Sequence, residues 1–297
     1  MTTLVVGATG MVGSKVCERL TAQGKAVRAL VRAASNPDKV RELQAMGVAT
    51  VQGDLRDRAT LDSACRGVDA VISTASSMPF AYKPGENDIQ TTDLQGLTNL
   101  VDAAKSARVG HFIYTSFSRN IDLDFPLRNA KRAVERHLQG SGMTYTILRP
   151  GYFMEVWLSP AVGFDAANVK AAIYGDGNKE LSWIAMCDVA EFAVQSLAAP
   201  AARNATIELG GPEALSPLQV VKIFEEMQGR TFEVQFVPAD ALKAQQEGAT
   251  DPMQQSFSGL MRCYAAGDPI EMRETLKAFP VKLTSVQENA RQMLTHI

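Results

Sequence analysis

The chain has 297 residues, 46% of them hydrophobic and 21% charged, with a net charge of −2. That balance offers no basic stripe for nucleic acid, no apolar run reaches membrane-spanning length, and the start of the chain lacks a basic stretch followed by a long apolar one. A cytoplasmic protein without nucleic-acid or membrane partners is therefore expected, and the scattered Cys17, Cys65, Cys187, Cys263, His111, His137 and His296 suggest neither a disulfide framework nor a metal site.

Residues 4–6 form a short β-type run, and Val12, Val16 and Leu20 recur at helical spacing. Between them Gly7, Gly10 and Gly13 stand three apart, at the strand-to-helix junction that cradles a dinucleotide pyrophosphate. The turn needs a residue without Cβ, the backbone must approach the anion, and the helix must pack tightly on its strand with its first amides facing the charge. The second strand, residues 26–32, ends about 20 residues beyond the glycines, where NAD enzymes place an acid on the ribose 2′-hydroxyl. Here that position holds Arg32. A guanidinium pairs with a 2′-phosphate that a carboxylate would repel, so NADP(H) is expected over NAD(H). The alternative is an ordinary solvated strand end. Arg28 and Lys39 could add positive charge nearby.

After a third strand, 49–52, the turn Gly53-Asp54-Leu55 could set a carboxylate and an apolar side chain against adenine; it reads equally as a turn and cap for a helix over 56–64. After the fourth strand, 70–73, Thr74, Ala75 and Ser76 supply small residues and open amides where a cofactor backbone could pass. Residues 78–88 form a long loop with two prolines, a glycine, Phe80 and Tyr82, a composition suited to a lid or binding loop. A fifth strand, 111–116, leads through a loop over 119–129 to a helix over 129–139 carrying Lys131, and a sixth strand covers 145–148. The alternation predicts a doubly wound parallel-sheet α/β fold of the Rossmann type, with its ligand crevice at the carboxyl ends of the strands. It fills residues 1–150. Residues 151–297 read as a smaller substrate-side region that partly rejoins the sheet, with strands at 206–209 and 231–237 and a helix capped by Ser216 with Pro217 at its first position. Val156, Trp157, Leu158 and Phe164 could wall an apolar pocket or simply fill a core.

Taken together, VVGATGMVG, LVR, GDL, the segment DLQGLTNLVDAA over 93–104, YTS, NAKRAVERHL, TILRPGYFME and DVAEFAVQSL resemble, in order and spacing, the atypical short-chain dehydrogenase/reductases of the NmrA-like and isoflavone-reductase-like branch. The resemblance covers nearly the whole length. It implies that Gly7, Thr9, Gly10, Met11, Val12 and Gly13 hold the pyrophosphate, Arg32 the 2′-phosphate, and Asp54 and Leu55 the adenine. By the same resemblance Thr74, Ala75, Ser76 and Ser116 line the ribose and nicotinamide, Lys131 bonds the nicotinamide ribose and serves proton transfer, and Pro150, Gly151, Tyr152 and Phe153 close over the nicotinamide.

One departure stands out. The wider superfamily carries a tyrosine four residues before the lysine, where the ammonium lowers the phenol pKa. Here that residue is Leu127, which cannot transfer a proton; Tyr114 and Tyr152 are the replacement donors to consider, and neither has that spacing. Two functions are expected from this pattern. One is an NADP(H)-dependent reductase of a small apolar or aromatic acceptor such as an enone, quinone or aryl ether, with Lys131 catalytic and Tyr82 and Trp157 as substrate contacts. The other is a non-catalytic NADP(H) sensor acting through a protein partner, with Lys131 only a cofactor clamp. A scaffold that binds cofactor for stability is a third. The oligomeric state is not legible.

Overall fold

The computed structural model describes residues 1–78 and 81–295; Phe80 and His296, singled out above, lie outside the described residues. A seven-stranded sheet is built from β1 (Thr2–Val6), β2 (Ala26–Val31), β3 (Ala49–Gln52), β4 (Ala70–Ser73), β5 (His111–Thr115), β6 (Thr144–Pro150) and an edge strand Ala205–Leu209. Its order is the edge strand, then β6, β5, β4, β1, β2 and β3. Every neighbouring pair from β3 to β6 runs parallel. This is the expected doubly wound arrangement, and the winding reverses between β1 and β4.

The helices α1 (Met11–Ala22), α2 (Pro37–Ala45), α3 (Arg58–Cys65), α4 (Leu97–Ser106) and α5 (Pro126–Gln139) supply the crossovers. Strands covered by helices on both faces should be apolar throughout, and every residue of β4 and β5 is buried. The core beneath α3 and α4 gathers Leu4, Leu61, Val71, Leu100, Phe112, Tyr114 and Ile147.

The chain divides into two compact units. One comprises Met1–Ser116, Asn129–Leu148 and Val189–Ile207; the other comprises Phe117–Arg128, Arg149–Asp188 and Glu208–Ile297. The second unit holds two small three-stranded sheets. Its helix Pro217–Gln228 starts as expected, with Ser216 and Gln219 forming a reciprocal capping box, and ends on Gly229 at φ 63°. Phe164, Phe224 and Phe232 pack edge-on and tilted together.

Several boundaries differ from the sequence reading. The helix expected over 56–64 starts at Arg58, because Asp57 caps it by accepting from the amides of Ala59 and Thr60. The helix expected from 129 starts at Pro126, where a proline is pre-set for the first turn, so the loop expected over 119–129 is shorter. The strand expected over 231–237 covers only Glu233–Val237, because the Phe232 amide donates to the Glu225 carboxylate. The loop expected over 78–88 contains a bridge between Lys83 and Asn87 and runs into a π-helical segment, Ile89–Gly96.

Candidate functional site

At the β1–α1 junction each glycine answers a different steric demand. Gly7 has φ 87°, and a Cβ there would lie 2.9 Å from both the Ala75 amide nitrogen and Thr74 Oγ1. A Cβ on Gly13 would sit 2.2 Å from the Gly7 carbonyl oxygen, so α1 packs on the turn with no room for a methyl. Gly10 donates its amide to the Gly7 oxygen at 2.9 Å and leaves the helix start without a side-chain cap or an acidic residue in its first turn. The amides around Met11 and Val12 are thus uncapped at an end that favours an anion. Thr9 and Val12 are half-buried beside them, and Met11 is exposed.

Arg32 follows the last residue of β2 and is exposed; its backbone amide donates to Ser35 Oγ at 2.9 Å, and its guanidinium makes no hydrogen bond or ion pair among the described residues, although its charge helps to hold the Asp54 carboxyl down. Arg28 does not join it, because its Nη1 donates to the carbonyls of Ala64 and Arg66, closing the end of α3. Lys39 is exposed on α2. Asp54 is held by Arg56: Nε and Nη2 reach its two oxygens at 3.0 and 2.8 Å, and that pairing holds the carboxyl below its usual range. Leu55 is buried, and a Cβ on Gly96 would lie 2.7 Å from the Leu55 Cβ. Thr74 Oγ1 donates to the Val6 carbonyl, and Ser76 Oγ accepts from Met78, leaving Thr74, Ala75 and Ser76 half-buried beside Gly7.

At the end of β5 lies a buried polar cluster that pattern reading only partly located. Ser116 is buried and donates its amide to the Leu148 carbonyl at 2.7 Å, yet its Oγ, the Thr115 Oγ1 and the Tyr114 hydroxyl make no hydrogen bond. Lys131, only 4% exposed, extends over the Tyr114 ring, 5.5 Å from its centroid, and donates to the Thr115 carbonyl at 3.5 Å. Burial pushes its pKa down, while Asp93 and Glu135 pull it back up. Burial raises the Tyr114 and Tyr152 phenols well above their ordinary value, which makes both poor proton donors. Leu127, the residue in the usual tyrosine position, is buried and donates its amide to Ser256 Oγ at 3.1 Å.

In the second unit, Pro150 ends β6, Gly151 donates to the Leu209 carbonyl, and Tyr152 is buried with its hydroxyl 3.4 Å from the Leu260 carbonyl. A Cβ on Gly151 would meet the Ser182 carbonyl at 2.8 Å. Phe153 is half-buried. Trp157 is also half-buried, stacked on Tyr264 at 5.2 Å between centroids with Tyr152 edge-on at 4.9 Å. Tyr82 is half-buried beside the bridged turn. No helix among the described residues is long and apolar enough to cross a membrane. No group of three or more His, Cys, Asp or Glu among them could hold a metal.

Residues 1–290 match the NmrA-like family. The NAD(P)H azoreductase of Xenophilus azovorans is 33% identical over 280 residues, which cover 93% of this chain and 91% of that protein. The chain belongs to the NmrA-like family. The photosystem II assembly factor Ycf39 of Trieres chinensis is 30% identical over 82% of this chain and 74% of its own length. The NADPH complex of quinone oxidoreductase QOR2 from Escherichia coli superposes with a TM-score of 0.80 at 25% identity, covering 98% of this chain and 99% of that one. This NmrA-like chain therefore has relatives named as reductases and relatives named for assembly. Its residues fit a dinucleotide on their own terms: a cradle closed to any Cβ, an uncapped helix start, an open guanidinium and unpartnered buried hydroxyls beside Lys131.

Proposed function

We propose that the protein is an NADP(H)-dependent reductase that passes hydride to a small apolar or aromatic acceptor: a quinone, an enone, an azo compound or an aryl ether. The observation that carries this reading is Lys131, a buried amine that reaches over the Tyr114 ring to the Thr115 carbonyl, beside three unpartnered hydroxyls. Bound NADPH supplies the hydride. Gly7, Thr9, Gly10, Met11, Val12 and Gly13 receive the pyrophosphate, and Arg32 pairs with the 2′-phosphate. Leu55 and Asp54 would hold the adenine, Asp54 accepting from its amine only by sharing an oxygen with Arg56. Thr74, Ala75, Ser76 and Ser116 line the ribose and nicotinamide, Pro150, Tyr152 and Phe153 are assigned to the nicotinamide face, and Tyr82 and Trp157 to the acceptor.

Lys131 bonds the ribose and places positive charge where the reduced acceptor becomes an anion. A leucine at 127 then selects among acceptors. An alkoxide formed from a simple ketone needs a strong proton donor within reach, and this chain offers none there. A quinone reduced by hydride becomes a hydroquinone anion that spreads its charge over the ring, its conjugate acid lies near the phenol value of about 10, and solvent can deliver the proton later. The names of the azoreductase and quinone-oxidoreductase relatives support that acceptor class.

Leu127 and the assembly-factor relative favour a second reading, an NADP(H)-responsive module that signals to a protein partner without turnover. Loss of NADPH absorbance against a panel of quinones, enones, azo dyes and aryl ethers, with nucleotide titrations alongside, separates the two. Turnover that disappears in Lys131→Met while NADPH still binds supports the reductase. Tight NADPH binding with no turnover on any acceptor supports the module.

A further inference from the structure

The strand Glu233–Val237 forms one edge of a small three-stranded sheet and, among the described residues, pairs only with Lys170–Tyr174. That pairing is parallel, with Glu233 opposite Lys170, so alternate residues turn their backbone groups toward the neighbour. The Glu233 amide donates to the Val169 carbonyl and the Val237 carbonyl accepts from Gly175, so residues 233, 235 and 237 bond inward. The amides and carbonyls of Val234 and Phe236 therefore point away from the sheet, and they make no hydrogen bond among the described residues. This open ladder is bounded at both ends. Pro238 has no amide to give, and the Phe232 amide is taken by the Glu225 carboxylate at 2.8 Å. The apolar face of the strand also runs out into solvent: Phe232 is 6% exposed, Val234 is half-buried, and Phe236, at 49%, is the only exposed aromatic residue among those described.

These features complement themselves. In an antiparallel pair, opposite residues whose backbone groups face each other exchange two hydrogen bonds. A two-fold axis through Gln235 sets Val234 of one chain opposite Phe236 of the other, twice, so every outward amide meets an outward carbonyl. The same axis sets Phe232 opposite Pro238, and the two positions with no amide to give meet each other. Moving the axis to Val234 sets Phe236 opposite Phe232, and moving it to Phe236 sets Val234 opposite Pro238; either shift leaves a carbonyl facing a residue with no free amide. Charge selects the same register. Glu233 falls opposite Val237 and Gln235 opposite its own copy, so no like charges are opposed, and Glu233 already has Lys170 of its own chain at 3.4 Å. On the other face the Phe236 ring meets the β-branched Val234, a favourable cross-strand pair.

We propose that this edge is a homodimer interface, in which two copies of the chain join their small sheets antiparallel about a two-fold axis through Gln235. The contact is small, so the dimer forms in a concentration-dependent way. Sedimentation equilibrium of the full-length protein shows the weight-average mass rising from one chain toward two. Val234→Pro removes an outward donor and touches no bond between the strand and its neighbour, an edge position where proline is tolerated. It weakens the dimer about 10-fold or more. Phe236→Lys, a change at an exposed side chain, weakens it in the same direction and does not depend on the proline variant folding. Cysteine pairing reads the register. Across a non-hydrogen-bonded antiparallel pair the Cα atoms lie about 4.5 Å apart, within disulfide range. In a glutathione redox buffer Gln235→Cys therefore crosslinks to its own copy, whereas Glu233→Cys and Val237→Cys crosslink only when mixed with each other. Of the native cysteines three are buried and Cys187 is half-buried, and the wild type sets the background. A wild-type mass of one chain at every concentration overturns the proposal and leaves the edge to a strand from another protein. A dimer unmoved by both Val234→Pro and Phe236→Lys, or a Gln235→Cys crosslink no stronger than that of Glu233→Cys alone, overturns it as well.

Discussion

His111, at the start of β5, gives a pH dependence of stability that can be worked from its surroundings. Its Nε2 lies 2.8 Å from Thr146 Oγ1, and that hydroxyl donates to the Ala202 carbonyl at 2.7 Å. The hydroxyl must therefore accept from the ring, which puts a proton on Nε2. Burial, with Arg203 adding to it, holds the pKa down to about 4. In the unfolded chain the ring titrates near 6.5, so between those values the unfolded state binds a proton that the folded state excludes. Stability is intact above about pH 6.5 and falls as pH drops toward 4. The loss is roughly 2 kcal/mol at pH 5 and about 3 kcal/mol once the window is crossed. Urea unfolding of wild type and His111→Gln at pH 7.5 and pH 5 isolates it, because the glutamine amide keeps a donor for Thr146 and does not titrate. The difference in unfolding free energy should swing by about 2 kcal/mol toward the glutamine variant at the lower pH. Parallel pH dependences would refute a buried neutral histidine.

Arg32→Ala should weaken NADPH roughly 10- to 100-fold and leave NADH nearly unchanged, since only one of them loses a charge-assisted pair; equal losses in nucleotide titrations would remove the 2′-phosphate assignment. Gly13→Ala places a methyl 2.2 Å from the Gly7 oxygen, so it should abolish nucleotide binding and cost about 1–3 kcal/mol in thermal unfolding. Asp268 accepts from Ser118 Oγ and Asn120 Nδ2 through Oδ1, while its buried Oδ2 has no partner, and burial raises its pKa. The unfolded carboxyl ionises first, so stability falls as pH rises above about 3.9 until the folded group also ionises. Asp268→Asn should therefore be the more stable protein at pH 8, by about 1 kcal/mol in melting experiments, and the gap should close toward pH 4.

Much of the sheet was legible because each strand of the nucleotide-binding layer is a short apolar run bounded by turn residues, and the three glycines mark the one junction where backbone crowding excludes a Cβ. The Ser216 cap was legible for a similar reason: its partners lie within three residues. Features made by distant partners were not. That Arg56 takes both Asp54 oxygens follows from the conformation of a turn, and Arg28 looks like a cofactor cation until α3 is seen to end above it. The motif NAKRAVERHL is dense in charge, and nothing in its spacing shows that Lys131, Arg132 and Glu135 are all buried. Asp93 stands in a quoted motif, but only the π-helical turn reveals that it points inward.

The alternation of chain between the two compact units bears on how the protein can be dissected. The polypeptide changes unit at residues 116, 128, 148, 188 and 207. A fragment cut at residue 150 would lack the edge strand Ala205–Leu209 and the helix Met186–Ser196, baring the open side of β6 as a template for unwanted pairing. Nucleotide-binding measurements on that fragment would report on a damaged sheet. The full-length chain is the sounder material, because it keeps the edge strand beside β6.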